Sequence, residues 1–149
     1  MTDRADLSGK MQGKSHILPI RVYYEDTDFS GLVYHATYLR WCERGRTEFV
    51  RHLGLNQKEL FEQDTLQDQR FFVVRKMELD YLKPALMDDV IDVVTKVKEI
   101  GAATVVLSQE IQRDGEPLFR AQVMIVLMSA QGRPVRLSDA MKGAFLPEG

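Results

Sequence analysis

Three long β-patterned stretches follow one another with almost no chain between them, and that spacing constrains the fold more than any other feature. Asp89–Ile100 is rich in valine, and Gly101 opens a turn behind it. Ala103–Arg113 alternates Val105, Leu107 and Ile111 against Thr104, Ser108, Glu110 and Gln112, the period of a half-buried strand. Asp114-Gly115 is a two-residue hairpin signal. Leu118–Met128 then alternates again, with Phe119, Ala121, Val123, Ile125 and Leu127 on one side. A parallel crossover needs a dozen or more residues, so these strands must run as an antiparallel meander. A fourth strand is predicted over Arg70–Leu82, where Phe71, Val73, Met77, Leu79 and Tyr81 share a parity that Arg75 interrupts.

Upstream lies the one long helix. From His35 onward Tyr38, Trp41, Cys42, Phe49 and Leu53 recur at helical spacing, with Arg40, Glu43, Arg44, Glu48 and Arg51 between them. Gly45 sits in its middle at a cost of about 1 kcal/mol relative to alanine, which close packing against a sheet would justify. A wide antiparallel sheet must cover one face, and this helix is the only large cover available. The expectation is an α+β domain in the hot-dog arrangement, a central helix wrapped by a curved antiparallel sheet of about five strands. Asn56–Gln63 reads as a short second helix, Asp64–Gln69 as a polar loop, and Ser138-Asp139 as the cap of a C-terminal helix through Phe145. Residues 1–15 are polar and read as a flexible arm, leaving 16–149 as a single domain, which suits 149 residues.

Composition removes several function classes. A net charge of −2 gives no electrostatic reason to expect nucleic acid. The single cysteine, Cys42, excludes an internal disulfide and a cysteine-built metal site. On the apolar helix stripe it reads as a buried core thiol. No apolar run approaches the ~20 residues of a membrane span, and the N-terminus lacks a signal-peptide core, so a cytoplasmic protein is expected. Gly9–Gly13 is not a phosphate loop, because three residues separate the glycines where four are needed. There is no Gly-x-Ser-x-Gly elbow and no His-Glu-x-x-His pair.

The chemistry should lie between Arg21 and Leu53. Arg21–Glu25 has the aromatic and β-branched content of a strand, and Ser30-Gly31 breaks it. Asp28 and His35 therefore fall in a strand-to-helix loop, where backbone N–H groups are free. Alone, an aspartate there is most often a cap or turn former, the role expected of Asp26. Asp26, Asp28 and His35 lack a recognised metal-ligand spacing, and no metal or cofactor is expected.

The run Tyr23-Tyr24-Glu25-Asp26-Thr27-Asp28, followed by Gly31, Val33-Tyr34-His35, Tyr38, Glu43 and Arg46, resembles the 4-hydroxybenzoyl-CoA thioesterase family of hot-dog proteins. The nearest likeness is to its Tol–Pal-cluster-associated acyl-CoA thioesterase branch. It continues through Phe72–Lys76 and Tyr81–Ala85, and so spans Ile20 to Met128. The resemblance implies hydrolysis of acyl-CoA thioesters, with Asp28 as the catalytic carboxylate, His35 as its partner at the helix start, and Tyr24 near the pair. It implies a homodimer or homotetramer with sites at the subunit interface. It admits acyl carrier protein as a second acyl carrier and a link to the Tol–Pal envelope system.

Thioester hydrolysis needs a nucleophile or activated water, and donors for the developing oxyanion, which the backbone N–H groups at His35 can supply. Arg75, Lys76 and Lys83 are candidates for the coenzyme phosphates, or equally a solvated strand face. Phe71 and Phe72 are candidates for the acyl pocket, with the partner subunit. Glu43 and Glu48, on the helix where some hot-dog thioesterases carry their carboxylate, read instead as ion-pair partners of Arg46 and Arg44. Two alternatives remain: a hot-dog hydratase or dehydratase acting on acyl thioesters, and a non-catalytic acyl-binding or scaffold protein.

Overall fold

The Asp114-Gly115 hairpin forms as its residues dictate, both with positive φ (51° and 79°), joining β5 (Thr104–Arg113) to β6 (Glu116–Ser129). The computed structural model describes residues 5–55 and 69–146. β4 (Val90–Ile100) pairs antiparallel with β5, so the meander is present as expected. β3 (Arg70–Tyr81) returns along the far side of β6, and β2 (Ser15–Arg21) along the far side of β4. With β1 (Lys10–Gln12) the described sheet has six strands in the order β1-β2-β4-β5-β6-β3. The long apolar strands β4, β5 and β6 are all interior. β1 and β3 are the edges.

α2 (Thr37–His52) crosses the concave face and buries Tyr38, Trp41, Cys42, Phe49 and Val50. Gly45 is what lets it approach. A Cβ built there would lie 2.6 Å from Val93 Cγ1 and 3.2 Å from Thr95 Oγ1, too close for any side chain without a shift of the sheet. Gln109 fastens the contact: its amide donates to the Cys42 carbonyl and to Thr95 Oγ1, both at 2.9 Å, and its oxygen accepts from Arg46 Nη1 at 3.0 Å. α3 (Asp139–Phe145) starts where expected, with Ser138 Oγ accepting from the Met141 amide, and it buries Phe145.

Several expectations are corrected. The strand predicted over Arg21–Glu25 lies earlier, at Ser15–Arg21, and the chain leaves the sheet at Val22. Pro19 masks it in the sequence, yet Pro19 falls beyond the reach of β1, where a missing N–H costs nothing. Tyr24–Asp26 is instead a 3₁₀ turn, closed by Asp26 Oδ2 accepting from the Tyr23 amide at 2.9 Å. Part of the expected arm is ordered: α1 (Ala5–Ser8) is followed by β1, and buried His16 donates through Nε2 to the Ser8 carbonyl at 2.7 Å. The single parity read along β3 is broken by a bulge, with Val74 opposite Ile125, Lys76 opposite Met124, and Arg75 the extra residue. Phe72 faces the core before it, and Met77 and Leu79 after it. The helix expected over Asn56–Gln63 and the loop following it to Asp68 lie outside the described residues.

Candidate active site

Between the 3₁₀ turn and α2 the chain makes a short closed loop. Thr27 bridges to Val33, the Gly31 amide donates to the Asp28 carbonyl, and the Asp28 amide donates to the Leu32 carbonyl. Gly31, at φ +83°, supplies the left-handed residue that this reversal needs. The loop is pinned from outside as well. Val33 donates to the Ala85 carbonyl, and Leu32 bridges to Leu86 in the connection between β3 and β4.

Asp28 is exposed at the loop tip. One carboxylate oxygen accepts from the Ser30 amide at 2.8 Å and from the Ser30 hydroxyl. The Ser30 hydroxyl, then its amide, holds the carboxyl below the usual carboxylate range, and His35 adds a smaller depression. Asp28 is thus an anion with His35 in electrostatic reach. Asp26 is the turn former expected of it, its carbonyl accepting from the Tyr34 amide at 2.9 Å.

His35 stands just before α2, its ring 4.5 Å from that of Tyr34. The helix start beside it is left open. Ala36 at the N-cap position makes no side-chain cap, and the first turn carries no acidic residue. Among the described residues, neither the His35 nor the Ala36 amide donates to a backbone carbonyl. Unpaired N–H groups at a helix start, with no acidic side chain in the first turn to cap them, are donors waiting for an anion or a developing negative charge.

Two residues not singled out from sequence hold this geometry. Ser30 fixes the Asp28 carboxylate, and Tyr81 Oη donates to the His35 carbonyl at 2.7 Å, tying the end of β3 to the helix start. The Tyr81 contact spans 46 positions, so no local pattern announces it. Tyr38, stacked on Phe119 and edge-on to Tyr81, accepts from the Ala85 amide at 2.9 Å and secures the same corner.

The other candidates are dispersed. Tyr24 is 79% exposed on the 3₁₀ turn, near the loop in sequence, with no side-chain contact to Asp28 or His35 among the described residues. Lys83 lies just past Tyr81 and is paired at 2.8 Å with Glu116, which Arg113 also approaches. Lys76 pairs with Glu78 at 3.4 Å, and Arg75 occupies the bulge, about 20 Å along the strand from its end at Tyr81, beyond which Lys83 lies. The three cations therefore do not form one cluster. Glu48 pairs with Arg51 at 3.2 Å, not with Arg44, and Glu43 has no ion pair within 4 Å among the described residues. Cys42 is fully buried, and burial pushes its thiol up to about 12, so it is a core residue. A cavity of about 250 Å³ opens between α2 and β3, lined by Glu43, Arg46, Thr47, Val50, Phe72 and Val74, with Ile125 behind; Phe71 is not part of it. No helix is long and apolar enough to cross a membrane among the described residues.

Comparison with known proteins agrees with this architecture. Residues 22–145 match the family model described as the thioesterase-like superfamily. The chain is 40% identical over 128 residues to the acyl-CoA thioesterase YbgC of Haemophilus influenzae, covering 85% of this chain and 91% of that one. It is 39% identical over 109 residues to the acyl-CoA thioester hydrolase YbgC of Escherichia coli O157:H7, covering 72% and 78%. A crystal structure of a probable thioesterase from Bartonella henselae superposes with a TM-score of 0.79 at 40% identity, over 83% of this chain and 99% of that one. The loop, the open helix start and these likenesses converge: the chain belongs to the thioesterase-like superfamily of hot-dog proteins, in the branch of the YbgC acyl-CoA thioesterases.

Proposed function

We propose that this protein hydrolyses acyl-CoA thioesters to a free acid and coenzyme A at the Asp28–His35 loop. The observation that carries the reading is an anionic aspartate, fixed by Ser30 and in electrostatic reach of His35, in the loop that leads into the uncapped start of α2. The thioester carbonyl oxygen accepts from the backbone N–H groups at His35 and Ala36, which are oriented before the reaction begins. Asp28 then removes a proton from water attacking the carbonyl carbon, or attacks that carbon itself to form a mixed anhydride that water cleaves. In either route the carbon–sulfur bond breaks and coenzyme A leaves as its thiolate. His35 orients Asp28 or the water, or protonates the leaving sulfur. Tyr24 borders the entrance on the turn side. The acyl group occupies the cavity between α2 and β3.

The protein acts as a homodimer or homotetramer. β3 is an open edge of the sheet, and Phe29, Leu32, Leu82, Leu86 and Met87 leave exposed apolar surface around the loop. Sedimentation at assay concentration tests this, and a fully active species of 17.1 kDa would refute it.

A thiol-release assay across aliphatic and aromatic acyl-CoAs, with and without EDTA, tests the activity. Hydrolysis that survives the chelator is expected. Failure to cleave any substrate would sink the reading, and hydration of crotonyl-CoA without thiol release would replace it with a hydratase.

A further inference from the structure

On the opposite flank of α2 from the acyl cavity, a groove of about 490 Å³ runs between β2 and the helix. It borders the Tyr23–Asp26 turn that leads into the Asp28 loop. Three arginines line it: Arg21 at the end of β2, with Arg40 and Arg44 one turn apart on α2. Among the described residues none of the three has an ion pair or a side-chain hydrogen bond. Glu48, in position to serve Arg44, is engaged by Arg51. Like charges one helical turn apart repel, and Arg21 adds a third from across the groove. Two carboxylates, Glu25 and Asp26, also line it, and three guanidinium groups against two carboxylates leave the balance positive. Tyr23 leaves 57% of its surface exposed beside these cations. Guanidinium forks match phosphate oxygens, and an exposed aromatic ring offers a face on which a base stacks.

We propose that this groove binds the phosphorylated adenosine end of coenzyme A, with its phosphates on Arg21, Arg40 and Arg44 and its adenine against Tyr23. The proposal rests on the acyl-CoA reading above and adds where the carrier of the acyl group is held. The thioester then approaches the Asp28 loop from the β2 side, with the pantetheine arm passing the Tyr23–Asp26 turn. Of the cations expected from sequence, Lys76 and Lys83 have carboxylate partners, and Arg75 stands apart from Lys83 at the bulge in β3.

Calorimetric titration with adenosine 3′,5′-bisphosphate tests the groove without any turnover. Wild type binds it, and Arg40→Ala/Arg44→Ala loses at least about tenfold in affinity. Tyr23→Ala weakens the bisphosphate and not inorganic phosphate. In the steady state, the informative number is kcat/KM for acyl-CoA divided by that for the acyl-N-acetylcysteamine thioester, which lacks the nucleotide. That ratio falls about tenfold in the double-arginine variant and holds at the wild-type value in Arg133→Ala, an exposed arginine away from the groove. Bisphosphate binding indifferent to the arginines would overturn the proposal, as would a ratio that falls instead in Lys76→Ala and Lys83→Ala. Inorganic phosphate displacing the bisphosphate at equal concentration would overturn the adenosine assignment. A protein that binds the bisphosphate here but hydrolyses no acyl-CoA would refute the thioesterase reading and leave the groove standing.

Discussion

α2 carries polar groups at two places that could hardly be treated more differently. In its middle, Gln109 meets Arg46, Thr95 and the Cys42 carbonyl in a packed layer around Gly45, and each of its polar atoms is used. At its start, the N-cap is an alanine without a cap, the adjoining amides are open, and Ser30 holds an exposed carboxylate within electrostatic reach of His35. The first arrangement resembles a fastener, because a buried polar network stabilises only when complete. The second has the form of a reaction site, because donors left open to solvent lower local stability yet are ready for charge that appears only during reaction.

The contrast predicts that changes at the two places separate activity from stability. The largest effect is at Asp28. Asp28→Asn keeps the shape and hydrogen bonding, and kcat/KM should fall at least ~100-fold with an unchanged melting curve. Next is Gln109→Leu, which leaves the Arg46 guanidinium and the Cys42 carbonyl without their partner. Denaturant unfolding should show a loss of about 3 kcal/mol, while the folded fraction loses far less turnover than Asp28→Asn. Gly45→Ala should destabilise by about 1 kcal/mol, the overlap with Val93 outweighing the better helix propensity. Tyr81→Phe removes one hydrogen bond from the His35 carbonyl, so kcat should fall about threefold with little effect on KM.

The smallest effect is a displacement along the pH axis. Asp28 works as the anion, and its pKa is depressed, so activity is present above that pKa and lost as pH falls through it. The acid limb of kcat/KM should therefore lie below the usual carboxylate range. Ser30→Ala removes the largest cause of the depression, and the limb should move to higher pH. A limb that stays in place would remove Ser30 from the site.

Much of the fold was legible because it is written in local periodicity. The meander follows from short connections, and the helix stripe from Tyr38 to Phe49 points at the sheet that buries it. Gly45 in mid-helix announced a close approach. Arg75 was visible as an anomaly in the β3 pattern, but a parity break alone does not reveal which strand carries the extra residue. Tyr23–Glu25 misled, since aromatic content looks like a strand while Asp26, three residues on, folds it into a turn. The site was legible only in part. Asp28 and His35 stood out through family resemblance, whereas Tyr81, the open helix start and the arginine groove depend on contacts between distant segments. Charges told least: Glu48 chose Arg51 over Arg44, a preference between two neighbours on an exposed helix that spacing does not decide.

Hydrolysis at the loop requires Asp28 to act where Asp26 does not. Thiol release from one acyl-CoA, measured side by side in wild type, Asp26→Asn and Asp28→Asn, compares two aspartates two residues apart in one loop. Asp28→Asn should lose at least ~100-fold in kcat/KM, and Asp26→Asn, which touches the 3₁₀ turn and the edge of the groove but not the thioester carbonyl, far less. Equal losses, or an Asp28→Asn enzyme that turns over like wild type, would contradict it.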